Sequence, residues 1–403
     1  MGNERPTTVK DLLAEAKDTS ELMVDLAYAA LYFNDEDLAD EVSRLEDVMN
    51  GFLRDLRRIS MLAARSPEDA EAMGGVLHIA GAIEQIGDAA ADIARIVTAE
   101  LGIPQALRPD LRHADEIVGW VRISEGSECV GRSLRDLSLP TETGMWLLAI
   151  RRGDEWEFDP GPDSVLAEDD ALVFQGPEEG ENLIREKAGA QPLKQEPAQD
   201  LVPLSELDHA VDILVEMKNS AEVAVGLAYS ALLLAEPALA AEVATLEARS
   251  DHLQDSLESW VLRASPEARN PDDLRGLIRL AYASEAIFDA ARGMTRLVEE
   301  GEELHPVVAA AIEASEEVAV ESMVEAGSRA EGGTLKQLSL ETEAGMFVLA
   351  VQRGRRWIYR PRPRFQLQAE DRVISIGPED GIPELQALVQ APAEETESAP
   401  APS

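Results

Sequence analysis

Apolar residues recur along the first hundred positions at alternating spacings of four and three. Leu12, Ala16, Thr19, Met23, Leu26, Ala30 and Phe33 fall on one stripe of a helix, because 3.6 residues per turn bring such positions onto one face. Leu38, Val42, Leu45, Met49, Phe52, Leu56, Ile59 and Ala63 predict a second helix of the same kind. Ile79, Ile83, Ile86, Ala90, Ile93 and Val97 predict a third that ends near Gly102-Ile103-Pro104. Short connections make sequence neighbours antiparallel, so the three read as an up-down-up bundle. After about residue 114 the period becomes strand-like. Met145 to Ile150 and Ala171 to Phe174 are short apolar runs bounded by Gly, Pro and Asp, and a helix is predicted from Glu178 to Lys187.

The pattern then starts again. An offset of 201 residues superposes Leu26-Ala27-Tyr28 on Leu227-Ala228-Tyr229, Glu41-Val42 on Glu242-Val243 and Arg95 on Arg296. Between 134–160 and 335–361, 14 of 27 positions are identical, which chance does not produce, so the chain is a tandem duplication. The register slips by two residues at Ser66-Pro67-Glu68 against Ser265-Pro266-Glu267 and recovers by Ala80 and Ala281, as a loop insertion at a proline-marked turn would make it. The predicted fold class is α+β multidomain, in a two-fold tandem repeat. Antiparallel three-helix bundles at 8–104 and 205–304 alternate with small α/β modules at 114–189 and 313–390. A Gln-, Pro- and Glu-containing linker at 190–204 joins the units, and the tail at 391–403 is expected to be disordered.

Composition narrows the partners. The 403 residues carry 78 acidic against 36 basic side chains, a formal charge of −42, and only six of the basic residues are Lys. Nucleic acid is excluded as a partner, since nothing supplies the cationic surface that phosphate neutralisation requires. The apolar periodicity argues for a folded protein with acidic, lysine-poor solvated faces, as in proteins of salt-loving microbes, where counterions screen the self-repulsion. Cys129 stands alone, which removes a disulfide framework and fits a reducing cytoplasm. Residues 1–8 do not read as a signal peptide, and no uncharged apolar run approaches the roughly 18 residues of a membrane span. Direct membrane insertion is therefore not expected, and any peripheral association would come through a transporter.

The third helix carries Glu84 and Asp88, and its copy carries Glu285 and Asp289. Carboxylates four apart on a helix lie one above the other, and each pair can converge on a cation if a neighbouring helix adds oxygens. Glu247 and Asp251 offer that second pair in the second unit, whereas the first unit has Glu46 with Asn50. In so acidic a chain the competing reading is a solvated helix face. The phrase Ile83-Glu84-Gln85-Ile86-Gly87-Asp88 resembles PhoU-family helices, which read I-E-R-I-G-D and carry E-x-x-x-D pairs, with Gln85 as the departure. That resemblance implies divalent or iron ions held by Glu46, Glu84, Asp88, Glu247, Asp251, Glu285 and Asp289, and a role in restraining phosphate uptake. PhoU proteins have six helices made of two triplets, so the two triplets here are expected to pack into one pseudo-symmetric six-helix bundle. A homodimer is the other association left open.

The α/β modules are similar to the TrkA carboxy-terminal domain, RCK-C. The residues that carry this are Glu125-Gly126-Ser127, Val130 through Leu134, Ala149 through Gly153, Pro160 through Asp163, Asp169 through Leu172, and Gly176. The copy keeps Gly332, Leu335, Ala350, Arg353-Gly354, Pro361, Asp371 and Gly377 but departs at Gly333-Thr334 and Ala369-Glu370. Such domains pair as dimers and bind small ligands, cyclic dinucleotides among them, to tune a transporter. No G-x-G-x-x-G occurs, so NAD is not expected. Between the modules four positions reverse sign: Asp154, Glu155, Asp159 and Asp163 become Arg355, Arg356, Arg360 and Arg364. With Arg353, these arginines either pair the modules across a two-fold axis, bind a small anionic ligand beside Trp357 and Tyr359, or record surface drift. No P-loop, nucleophile elbow or Cys-His set occurs, and the chain does not read as an enzyme. The expected function is regulation of cation transport, potassium first, through contact with a membrane transporter or channel. A phosphate-uptake regulator and a ligand-free adaptor are the alternatives.

Overall fold

The computed structural model describes residues 8–101, 116–193, 206–265, 271–302 and 304–391. Most of the linker read at 190–204, nearly all of the tail read at 391–403 and the helix stop at Gly102-Ile103-Pro104 lie outside them. Three long helices open the chain: α1 (Val9–Phe33), α2 (Glu36–Ala63) and α3 (Pro67–Thr98). Each starts on a side-chain cap, Thr8, Asp35 and Ser66 in turn, and Ser66 with Asp69 closes a reciprocal capping box ahead of Pro67. The first module follows as β1 (Glu116–Arg122), α4 (Leu134–Leu137), α5 (Leu139–Thr143), β2 (Trp146–Arg152), β3 (Glu155–Phe158), β4 (Ala171–Pro177) and α6 (Glu178–Lys187).

The second half repeats this order. Helices α7 (Glu206–Leu234), α8 (Pro237–Ala264) and α9 (Pro271–Glu299) precede a short α10 (Pro306–Ile312) that the sequence reading did not contain. The second module runs through β5 (Glu317–Met323), α11 (Leu335–Leu338), α12 (Leu340–Glu343), β6 (Phe347–Arg353), β7 (Arg356–Tyr359), β8 (Arg372–Pro378) and α13 (Ile382–Val389). Both sheets are wholly antiparallel, with strand orders β1-β4-β2-β3 and β5-β8-β6-β7.

One apolar core runs through both triplets, so the six long helices form a single bundle in which α3 lies against α9. Each sheet contributes to two cores. Leu172 and Phe174 point into the first module's own core, while Val173 beside them joins the bundle core. The near-continuous apolar run of β4 follows from burial on both faces. In the second module Ile374 joins the bundle core and Val373 the module core.

The halves are related by a pseudo-two-fold that residue contacts make explicit. A Cβ built on Gly144 would sit 2.4 Å from the Glu341 carbonyl oxygen, and one on Gly345 would sit 2.6 Å from that of Pro140. These are the same contact with the halves exchanged, as a self-complementary interface requires, and they bring α5 against α12. Both glycines have positive φ, +74° and +65°, so their identity is fixed by conformation and by space.

Candidate functional site

Lys17 and Lys218 occupy equivalent positions on α1 and α7 and are buried, at 2% and 6% exposure. Lys17 lies over the Tyr229 ring, 5.0 Å from its centre, and Lys218 over the Tyr28 ring at 5.3 Å, so each triplet sends a cation onto the other's aromatic face. Each lysine also pairs with the glutamate one turn along its own helix, Glu21 at 2.6 Å and Glu222. Burial alone would drive the Lys17 ammonium towards neutrality, but Glu21, Asp18 and Glu317 hold its pKa above the ordinary value. Lys17 Nζ also donates to the Glu317 carbonyl oxygen at 3.1 Å, which ties the start of β5 to α1.

Around this crossing lies a cavity of about 300 Å³, walled by α1 and α7 on one side and by both modules on the other. The two-fold generates most of its wall in pairs: Trp146 with Phe347, Leu148 with Leu349, Glu21 with Glu222. Nine lining residues are Asp or Glu and one is Lys, so the interior potential is negative. Asp25 accepts from Gln175 Nε2 at 2.8 Å, joining α1 to β4.

The charge pairing fails where Asp25 stands opposite Gly226 and Glu341 opposite Pro140, and at two further positions that add negative charge to the first half. Asp18 stands opposite Asn219 and Asp159 opposite Arg360. Asp18 accepts from the Glu316 backbone N–H at 3.1 Å, and its pKa is pushed up to about 7, chiefly by burial, with Lys17 opposing and Glu21 and Glu316 adding to the rise. Glu316, Asp159 and Glu15 are raised too, by desolvation first and then by neighbouring carboxylates. In the second half Arg360 instead donates to Glu216 at 3.4 Å and to Ser220 Oγ at 3.3 Å, both on α7.

The four reversed charges therefore do not clasp module to module. Arg360 grips the bundle, Asp163 pairs with Arg135 of its own module at 3.2 Å, and the modules meet through α5 and α12. Arg355, Arg356 and Arg364 are exposed. Arg353 is a structural clamp: Nε and Nη2 reach the buried Asp371 at 2.8 and 2.7 Å, as Arg152 reaches Asp170 in the first module. Its duplicate has the same partner at the same distances, which argues for holding the turn before β8 rather than for a ligand.

The helix carboxylates are brought together without forming a ligand set. Glu46 is bound by Arg95 Nη2 at 2.9 Å through both oxygens, and Glu84 lies 3.5 Å from Arg57, so arginines already neutralise the first group. Asp88 is raised by burial, Glu84 and Glu46. In the second unit Glu285 is pushed up to about 7 by burial and by Asp289, Asp251 and Glu247. This records four carboxylates within mutual repulsion. Among the described residues no group of three or more His, Cys, Asp or Glu side chains is arranged to hold a metal ion. The first unit, with Asn50 and two arginines, does not suit the expected metal.

The buried lysines escaped the sequence reading, because a lone Lys in a helical stripe reads as solvated. The signal was present: two of only six lysines stand 201 residues apart, each eleven residues before a duplicated Tyr.

Residues 118–189 and 319–390 match the TrkA-C domain, and residues 13–97, the first triplet, match the PhoU domain. The chain thus combines a PhoU-type helical unit with two TrkA-C domains. The K(+)/H(+) antiporter subunit KhtT of Bacillus subtilis (strain 168) is 32% identical over 89 residues, 22% of this chain and 54% of that protein. The chain therefore spans about half the length of this curated relative. Among solved structures, the RCK_C domain dimer of S. agalactiae BusR in complex with c-di-AMP is 27% identical, covering 18% of this chain and 91% of that one, with a TM-score of 0.18. PhoU from Pseudomonas aeruginosa is 18% identical, covering 72% of this chain and 93% of that one, with a TM-score of 0.38. Among the described residues no helix is long and apolar enough to cross a membrane.

Proposed function

We propose that this chain is a regulatory, non-catalytic subunit of a cation transporter, with potassium the first cation to test. The observation that carries the reading is a pair of TrkA-C modules joined within one chain and seated on one helical bundle around a shared cavity. The relative named as an antiporter subunit supports the same direction. A ligand entering that cavity touches α1, α7 and both modules at once, so its binding energy acts on the angle between modules and bundle. The acidic lining suits a cation there and opposes an anion.

Potassium flux tests the reading. Inverted membrane vesicles carrying a potassium transporter encoded beside this chain should change their potassium flux several-fold when the purified chain is added. Phosphate flux in the same vesicles should not change. Phosphate flux that responds while potassium flux stays constant would favour the PhoU-type alternative, and binding to the membranes with no effect on either flux would leave an adaptor.

A further inference from the structure

The first sheet carries a second, chemically opposite feature on its bundle-facing side, away from the central cavity. Cross-strand partners align four residues in one row: Arg122 on β1, Ala171 on β4, Arg151 on β2 and Trp156 on β3. Directly opposed residues of an antiparallel sheet share a face, and neighbouring strands lie about 4.8 Å apart, so the arginine backbones stand about 10 Å apart across the short side chain of Ala171. Trp120, two residues before Arg122 and on the same face, is 52% exposed. These residues, with Phe33 and Leu38 from the α1–α2 corner, line a groove of about 410 Å³.

Both guanidiniums hydrogen-bond to backbone carbonyls, Arg122 Nη1 to Asp169 at 3.1 Å and Arg151 Nε to Gly153 at 3.2 Å. No carboxylate among the described residues pairs with either. Each of these two arginines keeps further N–H groups to donate. The lining carboxylate, Asp35, is turned to accept from Leu38 N at 3.2 Å. Trp156 is fixed in place: its Nε1 donates to Asp37 at 3.0 Å, Phe158 stacks on it, and Arg151 lies over its ring at 5.4 Å.

The second module shows the same row filled. It reads Met323, Arg372, Gln352, Trp357. Arg372 occupies the central position, bonds Glu321 at 2.7 Å and Gln352, and lies over Trp357 at 5.8 Å. An arginine that satisfies itself in one half corresponds to two arginines flanking an open floor in the other.

We infer that the groove of the first module binds a small planar anion, an aromatic or heteroaromatic group bearing carboxylate or phosphate oxygens, gripped by Arg122 and Arg151 and stacked on Trp120. The inference does not depend on the transport role, since it is read by binding alone.

Isothermal titration of the full chain with phthalate, adenosine 5′-monophosphate and inorganic phosphate tests it. Either aromatic anion should saturate at one per chain, with inorganic phosphate weaker. Arg122→Met with Arg151→Gln installs the residues that the second module already carries, so the fold is retained, and should weaken the aromatic anion at least about tenfold. Ala171→Arg should do the same by filling the floor. Trp120→Leu should reduce the preference for aromatic over inorganic anions. Absence of saturable binding by both aromatic probes, or binding that survives the double substitution and Ala171→Arg alike, overturns the inference and leaves two solvated arginines.

Discussion

Lys17 and Tyr229 are held by each other across the seam between the triplets, and a cation that far from water tolerates no half-measures. Replacing Lys17 with Met removes the cation from above the Tyr229 ring and strands Glu21. The expected loss is about 3 kcal/mol, read by urea unfolding. A double-mutant cycle with Tyr229→Leu should return a coupling of about 1–2 kcal/mol. Asp18 gives a prediction with the opposite sign. Its folded pKa, about 7, lies above the ordinary 3.8, so the stability linked to its proton is fully present below about pH 4 and is lost as pH rises through 7. Asp18→Asn copies the residue the second half already has at Asn219 and should remove that loss, leaving the variant about 2 kcal/mol more stable than the parent at pH 8 and indistinguishable near pH 4. Melting temperature followed against pH, variant minus parent, reads it. At this scale the sequence was a partial guide. It located the carboxylate pairs, which are near each other, but it left Arg353 between ligand binding and module pairing, because an Arg-Gly turn repeated in both halves does not reveal that the guanidinium points back at Asp371.

Among the elements, the long helices were legible because their apolar stripes run for seven or more positions, and a period needs length to declare itself. β4 and α6 were legible from one uninterrupted apolar run and the acidic turn that follows it. β3 was not: Glu155-Trp156-Glu157-Phe158 alternates over only four residues, and half of them face water. Nor was α10, seven residues without a polar face. Gly144, at the contact of α5 with α12, and Gly153, in the open turn between β2 and β3, allow a controlled test. Gly144 and Gly153 both have positive φ, but a Cβ at Gly144 meets backbone at 2.4 Å while nothing lies within 4 Å at Gly153. Gly153→Ala should cost about 1 kcal/mol, the conformational part alone. Gly144→Ala should cost about 3 kcal/mol or more and loosen the contact with α12, visible as faster amide exchange in Leu340–Glu343.

Taken whole, the chain behaves as an internal dimer whose halves have stopped being identical. The first half alone contains Lys17 and Tyr28, so a second copy can rebuild both cation–aromatic contacts. It would also bring two sets of Glu15, Asp18 and Asp159 together without Arg360. Separately expressed halves should therefore not remain stable monomers, and an equimolar mixture should form the mixed pair in preference to either self-pair, as sedimentation would reveal. Stable monomeric halves would contradict the shared core. The duplication was legible at this scale because identity at a fixed offset needs no structural insight. The direction in which the charge reversals act was not, since partners come from α7, 140 residues or more away in sequence.

The reciprocal contact of Gly144 with Glu341 and of Gly345 with Pro140 is made inside one polypeptide. Assembly of this joint is consequently independent of dilution, and any effector seated on its axis meets one unequal pair instead of two interchangeable protomers. Its dose–response should be a plain hyperbola with a Hill slope of one, graded where a symmetric assembly could be switch-like.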